Sequence, residues 1–133
     1  FKRYNDYYGH QSGDECLQKL ALAARSVVKY PEDLVARYGG EEFAIILPNT
    51  SADRAMKVAQ EIRENVQKLK LPHARSLVSQ NVTISLGISS IFPSPDALLE
   101  SLILTADKAL YEAKNQGRDR LILKTSLVIF NSW

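Results

Sequence analysis

The sequence predicts a mixed α/β domain in which helices cover the faces of a central mixed sheet. Helix-like and strand-like patterns alternate along the 133 residues, and a glycine-rich turn joins two short strand-like runs as in a β-hairpin. Apolar residues, aromatics included, make up 45% of the chain, which is enough for one compact core. We expect a single domain over residues 1–125 and a short tail over residues 126–133.

The first part of the chain is predicted to be helical. Residues 1–9 have the pattern of a short helix. Ser12 and Glu15 then form a capping box, in which each side chain satisfies a backbone N–H at the start of a helix. Apolar residues continue at helical spacing, so we expect a second helix over about residues 13–30, ended by Pro31.

A β-hairpin and a third helix follow. The two β-prone runs are residues 34–38 and 43–47, and a glycine pair between them favours a tight turn. Apolar spacing over residues 55–69 predicts a helix capped near Thr50 or Ser51.

The last part of the chain contains a loop, two strands and a helix. After a loop at residues 70–80, residues 82–89 alternate strictly between apolar and polar, which predicts a strand with one buried face. Ser94-Pro95 predicts the start of the last helix, Gly117 its end, and residues 120–124 a final strand.

Composition argues against several function classes. The formal net charge is +2 and no dense basic run is visible, so neither nucleic acid nor an anionic membrane is an expected partner of this segment. No stretch approaches the ~20 apolar residues of a membrane span. Cys16 is the single cysteine, which excludes an internal disulfide and fits a reducing, cytoplasmic location.

The turn Gly39-Gly40-Glu41-Glu42 is the first candidate site. Glycines let a ligand approach the backbone closely. Glu41 and Glu42 are strand neighbours whose side chains point to opposite sides, so one could hold a divalent cation while the other faces a reacting group. The alternative is a solvated hairpin turn with two exposed acids, which the turn by itself favours.

Asn5 and Asp14 form the second candidate site. They supply an amide and a carboxylate. A carboxylate can accept from the ring N–H and the exocyclic amine of guanine together, a donor pair that adenine lacks. Alternatively, Asp14 caps a helix and Asn5-Asp6 forms a turn, which is the simpler interpretation of either residue alone.

Lys114 and Arg118 form the third candidate site, around the end of the last predicted helix. Both could reach one polyphosphate, Arg118 through its planar fork and Lys114 as a point charge. The alternative is that cations simply favour the negative end of a helix dipole.

Taken together, four segments resemble the GGDEF family of diguanylate cyclases, in the family's order and approximate spacing. They are FKRYNDYYGHQSGDE, RYGGEEF, VTISLGIS and ADKALYEAKNQGRDR. The resemblance covers nearly the whole chain, from Phe1 to about Leu123, and GGEEF is an accepted form of the family signature.

The resemblance implies a palm-like nucleotidyl cyclase fold whose hairpin bears the GGEEF turn. It implies a bacterial diguanylate cyclase, which condenses two GTP molecules into cyclic di-GMP and releases two pyrophosphates. Each protomer is expected to bind one GTP and two divalent cations, Mg²⁺ or alternatively Mn²⁺, and two protomers face each other as a homodimer. An upstream sensory or regulatory domain is expected, through which the full-length protein could attach to a membrane.

Motif positions imply a role for individual residues. Glu42 matches a metal-ligating carboxylate, and Glu41 matches the second acid, assigned to catalysis near the metals. Asn5 and Asp14 match guanine-reading positions. The other matches are Gly39 and Gly40 under the nucleotide, Lys2, Lys114 and Arg118 at the phosphates, and Asp6 and His10 with partly structural roles.

The chain departs from the family pattern in two places. The family has Asp-x-Asp-x directly before the position of Phe1, and its first aspartate is a metal ligand on a central strand. Without that strand, residues 1–133 alone are expected to have little or no activity. Many members also carry an inhibitory Arg-x-x-Asp product site; here Asp33 is kept but Tyr30 replaces the arginine, so we expect weak product inhibition or none.

Two other function classes remain open from sequence. A catalytically silent GGDEF domain would bind GTP or dimerise as a sensor module. A ferredoxin-like domain would bind RNA or a protein, but RNA-binding sheets usually expose aromatic residues, whereas polar Thr83, Ser85 and Ser89 occupy one face of the clearest predicted strand.

Overall fold

The computed structural model describes residues 1–125, and the eight predicted elements occur there in the predicted order. The expected tail at 126–133 lies outside the described residues. The elements are α1 (Lys2–Tyr8), α2 (His10–Arg25), β1 (Leu34–Gly39), β2 (Glu42–Ile46), α3 (Ala52–Lys68), β3 (Leu86–Ser90), α4 (Leu99–Asn115) and β4 (Leu121–Thr125).

The mixed α/β class is confirmed, and its strands form two ladders within residues 1–125. β1 and β2 pair antiparallel, whereas β3 and β4 pair parallel in register from Leu86 opposite Leu121 to Ser90 opposite Thr125. Connection length explains the difference. A tight turn can join antiparallel neighbours, whereas parallel neighbours need a crossover, here supplied by α4. Both strand orientations of the expected mixed sheet are therefore present, but each in its own two-stranded ladder.

The chain divides into two compact units. The first contains Phe1–Asn49 and Glu61–Thr83, and the second contains Thr50–Gln60 and the described residues from Ile84 onward. In the first unit the core cluster is Tyr4, Cys16 and Val82, each at most 7% exposed. Burial raises the pKa of the Cys16 thiol, which keeps this cysteine protonated within the core.

The start of α2 differs from the prediction. The helix begins at His10 after Gly9, which has φ 88°, and no side chain caps it, so the capping box expected from Ser12 and Glu15 does not form. A glycine tolerates this left-handed corner, and it lets α1 run almost directly into α2. The helix also ends at Arg25, before the predicted residue 30, where Val27 N–H bonds to the carbonyl of Ala24 in a tightened last turn.

The prediction for α3 is confirmed near its start. The helix begins at Ala52, and the hydroxyl of Ser51 accepts a hydrogen bond of 3.2 Å from the N–H of Arg54. Ser51 is thus the cap expected from the sequence. Ile62 and Val66 are 3% and 2% exposed, as the apolar stripe predicts.

In the second unit, α4 covers a face of β3 that was expected to be open. All five residues of β3 are partly buried, so the prediction of a single buried face is wrong. A Cβ on Gly87 would overlap the backbone of Leu110 and Ala106, and Ser89 Oγ donates to the carbonyl of Leu102 at 2.8 Å. The polar side of this strand is therefore a helix-packing surface.

The start of α4 is also later than predicted. Ser94 accepts a hydrogen bond from the N–H of Ala97 in a separate turn, and Leu98 is extended with φ −95° and ψ 128°. Pro95 therefore serves a turn and does not begin the helix. Residues 82–85 likewise precede the observed strand. None of the helices within residues 1–125 is long and apolar enough to cross a membrane.

Candidate active site

The β1–β2 turn is open on the side of its glycines. Gly40 has φ 50°, and neither Gly39 nor Gly40 has an atom within 4 Å of the position of a Cβ. The register shifts between Arg37 and Gly39, and the Nε of Arg37 donates to the carbonyl of Gly40 at 2.8 Å. This hydrogen bond ties the turn to strand β1. The backbone of Gly39 and Gly40 is therefore accessible to a ligand.

Both acids of the turn are exposed. Glu41 Oε1 lies 3.9 Å from the backbone nitrogen of Phe1, so the structure brings Glu41 beside the start of α1, where Lys2 is also exposed. Glu42 begins β2 opposite Gly39, whereas Glu41 belongs to the turn before the strand. The turn thus presents two neighbouring exposed carboxylates.

The acids fit a cation that is shared with a ligand. Within residues 1–125, no group of three or more His, Cys, Asp or Glu side chains is arranged to hold a metal ion. A pair of exposed carboxylates nevertheless suits Mg²⁺, which usually keeps several waters and is bound through one or two carboxylates together with substrate phosphates. The donor set therefore fits a metal that arrives with a polyphosphate.

Asn5 and the segment Gly13-Asp14 are brought together between α1 and α2. Gly13 is buried, and a Cβ there would overlap Oδ1 of Asn5. That oxygen is itself buried, with no hydrogen-bond partner among the described residues. Asp14 follows on α2 and is exposed. The absence of a side chain at residue 13 lets the Asn5 amide lie next to the turn of helix that carries the Asp14 carboxylate.

Neither alternative expected for these two residues is observed. Asp14 lies four residues inside α2, which begins at His10 without a side-chain cap, and Asn5 lies within α1. The interpretations of Asp14 as a helix cap and of Asn5-Asp6 as a turn are therefore wrong. His10 occupies the junction between the two helices and is exposed.

Lys114 and Arg118 meet at the end of α4, in the second unit. Gly117 has φ 115°; its N–H bonds to the carbonyl of Lys114, and the N–H of Arg118 bonds to that of Ala113. This is the Schellman pattern predicted by Gly117. Arg118 Nη1 also donates to the carbonyl of Lys114 at 3.5 Å. The guanidinium thus folds back over the helix end, where the dipole favours a cation.

The chain beyond α4 has an unusual backbone. Arg118 and Asp119 have φ values of 66° and 48°, so three consecutive residues occupy the left-handed region. Such conformations cost of order 1–3 kcal/mol for each non-glycine residue and tend to occur at ligand sites. Nothing in the sequence signalled this segment, because arginine and aspartate give no cue for positive φ comparable to glycine.

Sequence reasoning also missed the aromatic cluster that supports α1. Tyr4 stacks on Phe1 with ring centroids 5.3 Å apart, and it contacts Tyr8 and His73 at 4.6 Å and 5.3 Å. The aromatic spacing in α1 was visible, but its partner His73 lies almost seventy residues later in a segment predicted only as a loop.

Comparisons with known proteins agree on one family. The family described as "Diguanylate cyclase, GGDEF domain" matches residues 1–120. The chain is 45% identical over 124 residues to Diguanylate cyclase A of Treponema denticola, and 40% identical over 128 residues to the response regulator PleD of Caulobacter vibrioides. These alignments cover 92% and 95% of this chain but only 32% and 27% of the relatives, so the chain spans about a third of the length of these proteins.

Solved structures give the same result. The GGDEF domain of DgcB from Caulobacter crescentus, in complex with c-di-GMP, is 35% identical with a TM-score of 0.79; the match covers 92% of this chain and 70% of that one. The active GGEEF domain of a diguanylate cyclase from Vibrio cholerae is 34% identical with a TM-score of 0.77, covering 92% and 74%.

Proposed function

The chain belongs to the GGDEF domain family of diguanylate cyclases, and on this premise we propose that it is the catalytic domain of an enzyme that makes cyclic di-GMP. Two GTP molecules react, and the 3′-hydroxyl of each attacks the α-phosphate of the other. Two phosphodiester bonds form, and two pyrophosphates leave. The observation that carries the proposal is the open Gly39-Gly40 turn, whose Glu41 lies beside the start of α1.

We propose that Glu42 and Glu41 hold the divalent metal on which cyclases of this family depend. Two Mg²⁺ ions per site, with Mn²⁺ as a substitute, would neutralise phosphate charge and favour in-line displacement. Glu41 has the second role of a catalytic acid near the attacking hydroxyl. Its support is the position of Glu41 in the turn directly before Glu42, beside the start of α1.

Asn5 and Asp14 are proposed to read the guanine base. The buried Oδ1 of Asn5 has no donor among the described residues, and the desolvation of an unsatisfied acceptor costs about 1–3 kcal/mol. A bound base that offers N–H groups to this region would find an amide and a carboxylate on adjacent helices. Adenine lacks the donor pair that suits the carboxylate, so this pair favours GTP.

In the first unit, Lys2 and the backbone of the turn are proposed to contact the phosphates. Lys2 stands at the start of α1, and Gly39 and Gly40 leave room for close approach to the backbone. In the second unit, Lys114 and Arg118 are proposed as phosphate-binding residues because they match the family's phosphate-contacting positions. The fork of Arg118 suits bidentate contacts to phosphate oxygens, and in the absence of nucleotide it caps the carbonyl of Lys114.

Catalysis is proposed to need a homodimer, because one site holds only one of the two nucleotides that react. Since the relatives are about three times longer than the matched segment, we propose that an upstream sensory or regulatory domain controls this encounter. A bacterial cytoplasmic setting fits the supply of GTP.

We propose further that cyclic di-GMP inhibits this domain weakly or not at all at the position of the family's product site. Tyr30 stands where an arginine would provide a charged fork. Asp33, the second residue of that site, forms hydrogen bonds within its own turn. Its Oδ2 accepts from the N–H of Tyr30 at 3.3 Å, and its N–H donates to the carbonyl of Tyr30 at 3.0 Å.

One assay tests the proposed function. The full-length protein is incubated with GTP and Mg²⁺, and pyrophosphate and cyclic dinucleotide are measured together. We expect two pyrophosphates to be released for each cyclic dinucleotide formed. GTP binding without either product would refute the proposal and indicate a silent GTP-binding module.

A further inference from the structure

An aromatic cluster attaches the 71–82 loop to α1 in the first unit. Tyr4 is its centre, 7% exposed. The ring of His73 meets Tyr4 edge to face, with centroids 5.3 Å apart and planes at 86°, and Tyr8 Oη accepts a hydrogen bond of 3.1 Å from the N–H of Ala74. Two consecutive loop residues therefore contact two successive turns of α1.

The loop is itself closed by backbone hydrogen bonds. Val82 N–H bonds to the carbonyl of Leu71 at 2.7 Å, and His73 N–H bonds to that of Gln80 at 2.8 Å. His73 therefore stands on a segment fixed at its base. The side chain is partly buried, and no hydrogen-bond partner for its buried Nδ1 occurs in the described part of the chain.

Helix α1 depends on such contacts for its position. It has seven residues, and no side chain caps its start, and isolated helices this short are not stable in water. Asn5 directly follows Tyr4, the residue that His73 contacts. A shift of Tyr4 would therefore move the Asn5 amide off Gly13 and away from the Asp14 turn.

We propose that His73 is a positioning residue for the nucleotide base: its ring holds α1 through Tyr4 and so places Asn5 beside Asp14. This inference rests on the proposed function, because it deepens the role of the same site. It also identifies a contributor to base selectivity at His73, which lies outside the four segments that resemble the family.

The surroundings of His73 favour the neutral ring. Burial is the largest cause that lowers the pKa of His73 below its ordinary value of 6.5, and the positive charge of Arg3 lowers the pKa further. From α1, Tyr4 faces the ring and Tyr8 contacts the loop at Ala74. On the loop, Arg75 lies over Tyr7 at 5.5 Å. Among the described residues, no carboxylate contributes to the shift in the pKa of His73.

The direction of the pH effect follows from this lowered pKa. The unfolded chain binds a proton at His73 more readily than the folded chain does. The stabilisation by the neutral ring is complete above about pH 6.5, and it is lost as the pH falls through the lower folded pKa. Nucleotide binding that depends on α1 should weaken over the same range.

The test compares GTP binding and turnover in the full-length wild type, His73→Phe and His73→Ala. Phenylalanine keeps an aromatic edge against Tyr4 but does not titrate, whereas alanine removes the contact. Leu77→Ala is the matched control, because Leu77 lies on the same loop as His73 and its side chain is 85% exposed. The GTP dissociation constant of each variant and of wild type is measured from pH 7.5 to 5.5. Because GTP titrates identically in all assays at one pH, its own titration cancels in the ratio of the dissociation constants.

We expect His73→Ala to raise the GTP dissociation constant and KM about three- to tenfold, the worth of one aromatic pair. Its preference for GTP over ATP should fall, with kcat at saturating GTP changed less than KM. His73→Phe should bind like wild type at pH 7.5 and more tightly than wild type at pH 5.5. Leu77→Ala should follow wild type at every pH.

A His73→Ala protein with an unchanged GTP dissociation constant would overturn the positioning role. So would a loss of kcat alone with unchanged KM and base selectivity, because misfolding of a fraction of molecules gives that result. The proposed function fails separately: a wild type that binds GTP without turnover refutes cyclase activity, while the binding arm still decides the role of His73.

Discussion

The side-chain oxygen Oδ1 of Asn5 lies over Gly13 so closely that a Cβ on residue 13 would overlap it. This contact joins α1 to α2 at the proposed base-reading site. It also explains a glycine inside a helix, where alanine would otherwise be preferred by about 1 kcal/mol.

Gly13→Ala is therefore expected to destabilise the domain by about 1–3 kcal/mol, since overpacking outweighs the gain in helix propensity. Asn5→Ala removes the overlapping atoms, so in that background Gly13→Ala should be neutral or stabilising. Urea unfolding of the four proteins of this double-mutant cycle measures the coupling. Additive effects of the two substitutions would contradict the contact.

Glu42→Ala is expected to abolish cyclic di-GMP synthesis, with a loss of 100-fold or more, roughly the effect of removing one strong charge-stabilising group in an active site. Removal of divalent cations with EDTA should abolish synthesis by the wild type as well. Added Mg²⁺ should restore the activity of the wild type but not that of Glu42→Ala. Glu61→Ala, at another exposed acid, is the control and should remain active. Normal turnover by Glu42→Ala would remove this acid from the metal site.

Asp14→Ala is expected to reduce discrimination between GTP and ATP. The loss of a charged acceptor for two base donors corresponds to about 1.5–3 kcal/mol, or roughly 10- to 150-fold in the ratio of kcat/KM values. Competition assays with both nucleotides measure that ratio. Glu15→Ala, the adjacent exposed acid on α2, should leave it unchanged; an equal effect of the two variants would indicate general electrostatics and not base recognition.

Tyr30→Arg is expected to introduce or strengthen inhibition by cyclic di-GMP, because it supplies the charged fork that the wild type lacks at this position. The initial rate of pyrophosphate release, measured with increasing cyclic di-GMP, should fall at lower product concentration in the variant. In the wild type, tight inhibition that disappears with Asp33→Ala would show that the site functions without arginine.

Gly87→Ala is expected to destabilise the second unit by about 1–3 kcal/mol or more, since the added Cβ meets the backbone of Leu110 and Ala106 and cannot be avoided by a rotamer change. Gly39→Ala is the control, because the space around Gly39 is open. Its unfolding midpoint in urea should match that of wild type. Equal stability of Gly87→Ala and wild type would show that α4 can move away from β3 at little cost.

Local patterns were sufficient for the kind and order of the elements. The apolar stripe of α3, the Ser51 cap, the hairpin and the Gly117 helix end were all predicted, because each depends on residues within a few positions of one another. The candidate residues Asn5, Asp14, Glu41 and Glu42 were likewise identified from local motifs and their family resemblance.

Boundaries were less predictable where two local signals compete. Ser12-Glu15 and Ser94-Pro95 both have residue types that favour the start of a helix. However, α2 begins directly after Gly9, which has a positive φ, and α4 begins after Leu98, which is extended. In each case the backbone path of the neighbouring segment decided which residue begins the helix.

The sequence by itself determined the family, the elements and the residues that carry the proposed chemistry, since these follow from short-range spacing and side-chain type. The tertiary structure alone decided that the Asn5 side chain packs against Gly13, that the polar side of β3 faces α4, and that His73 packs against α1. These relationships join residues 8 to 69 positions apart, and their physical basis is the excluded volume and burial of atoms that only the folded chain brings together.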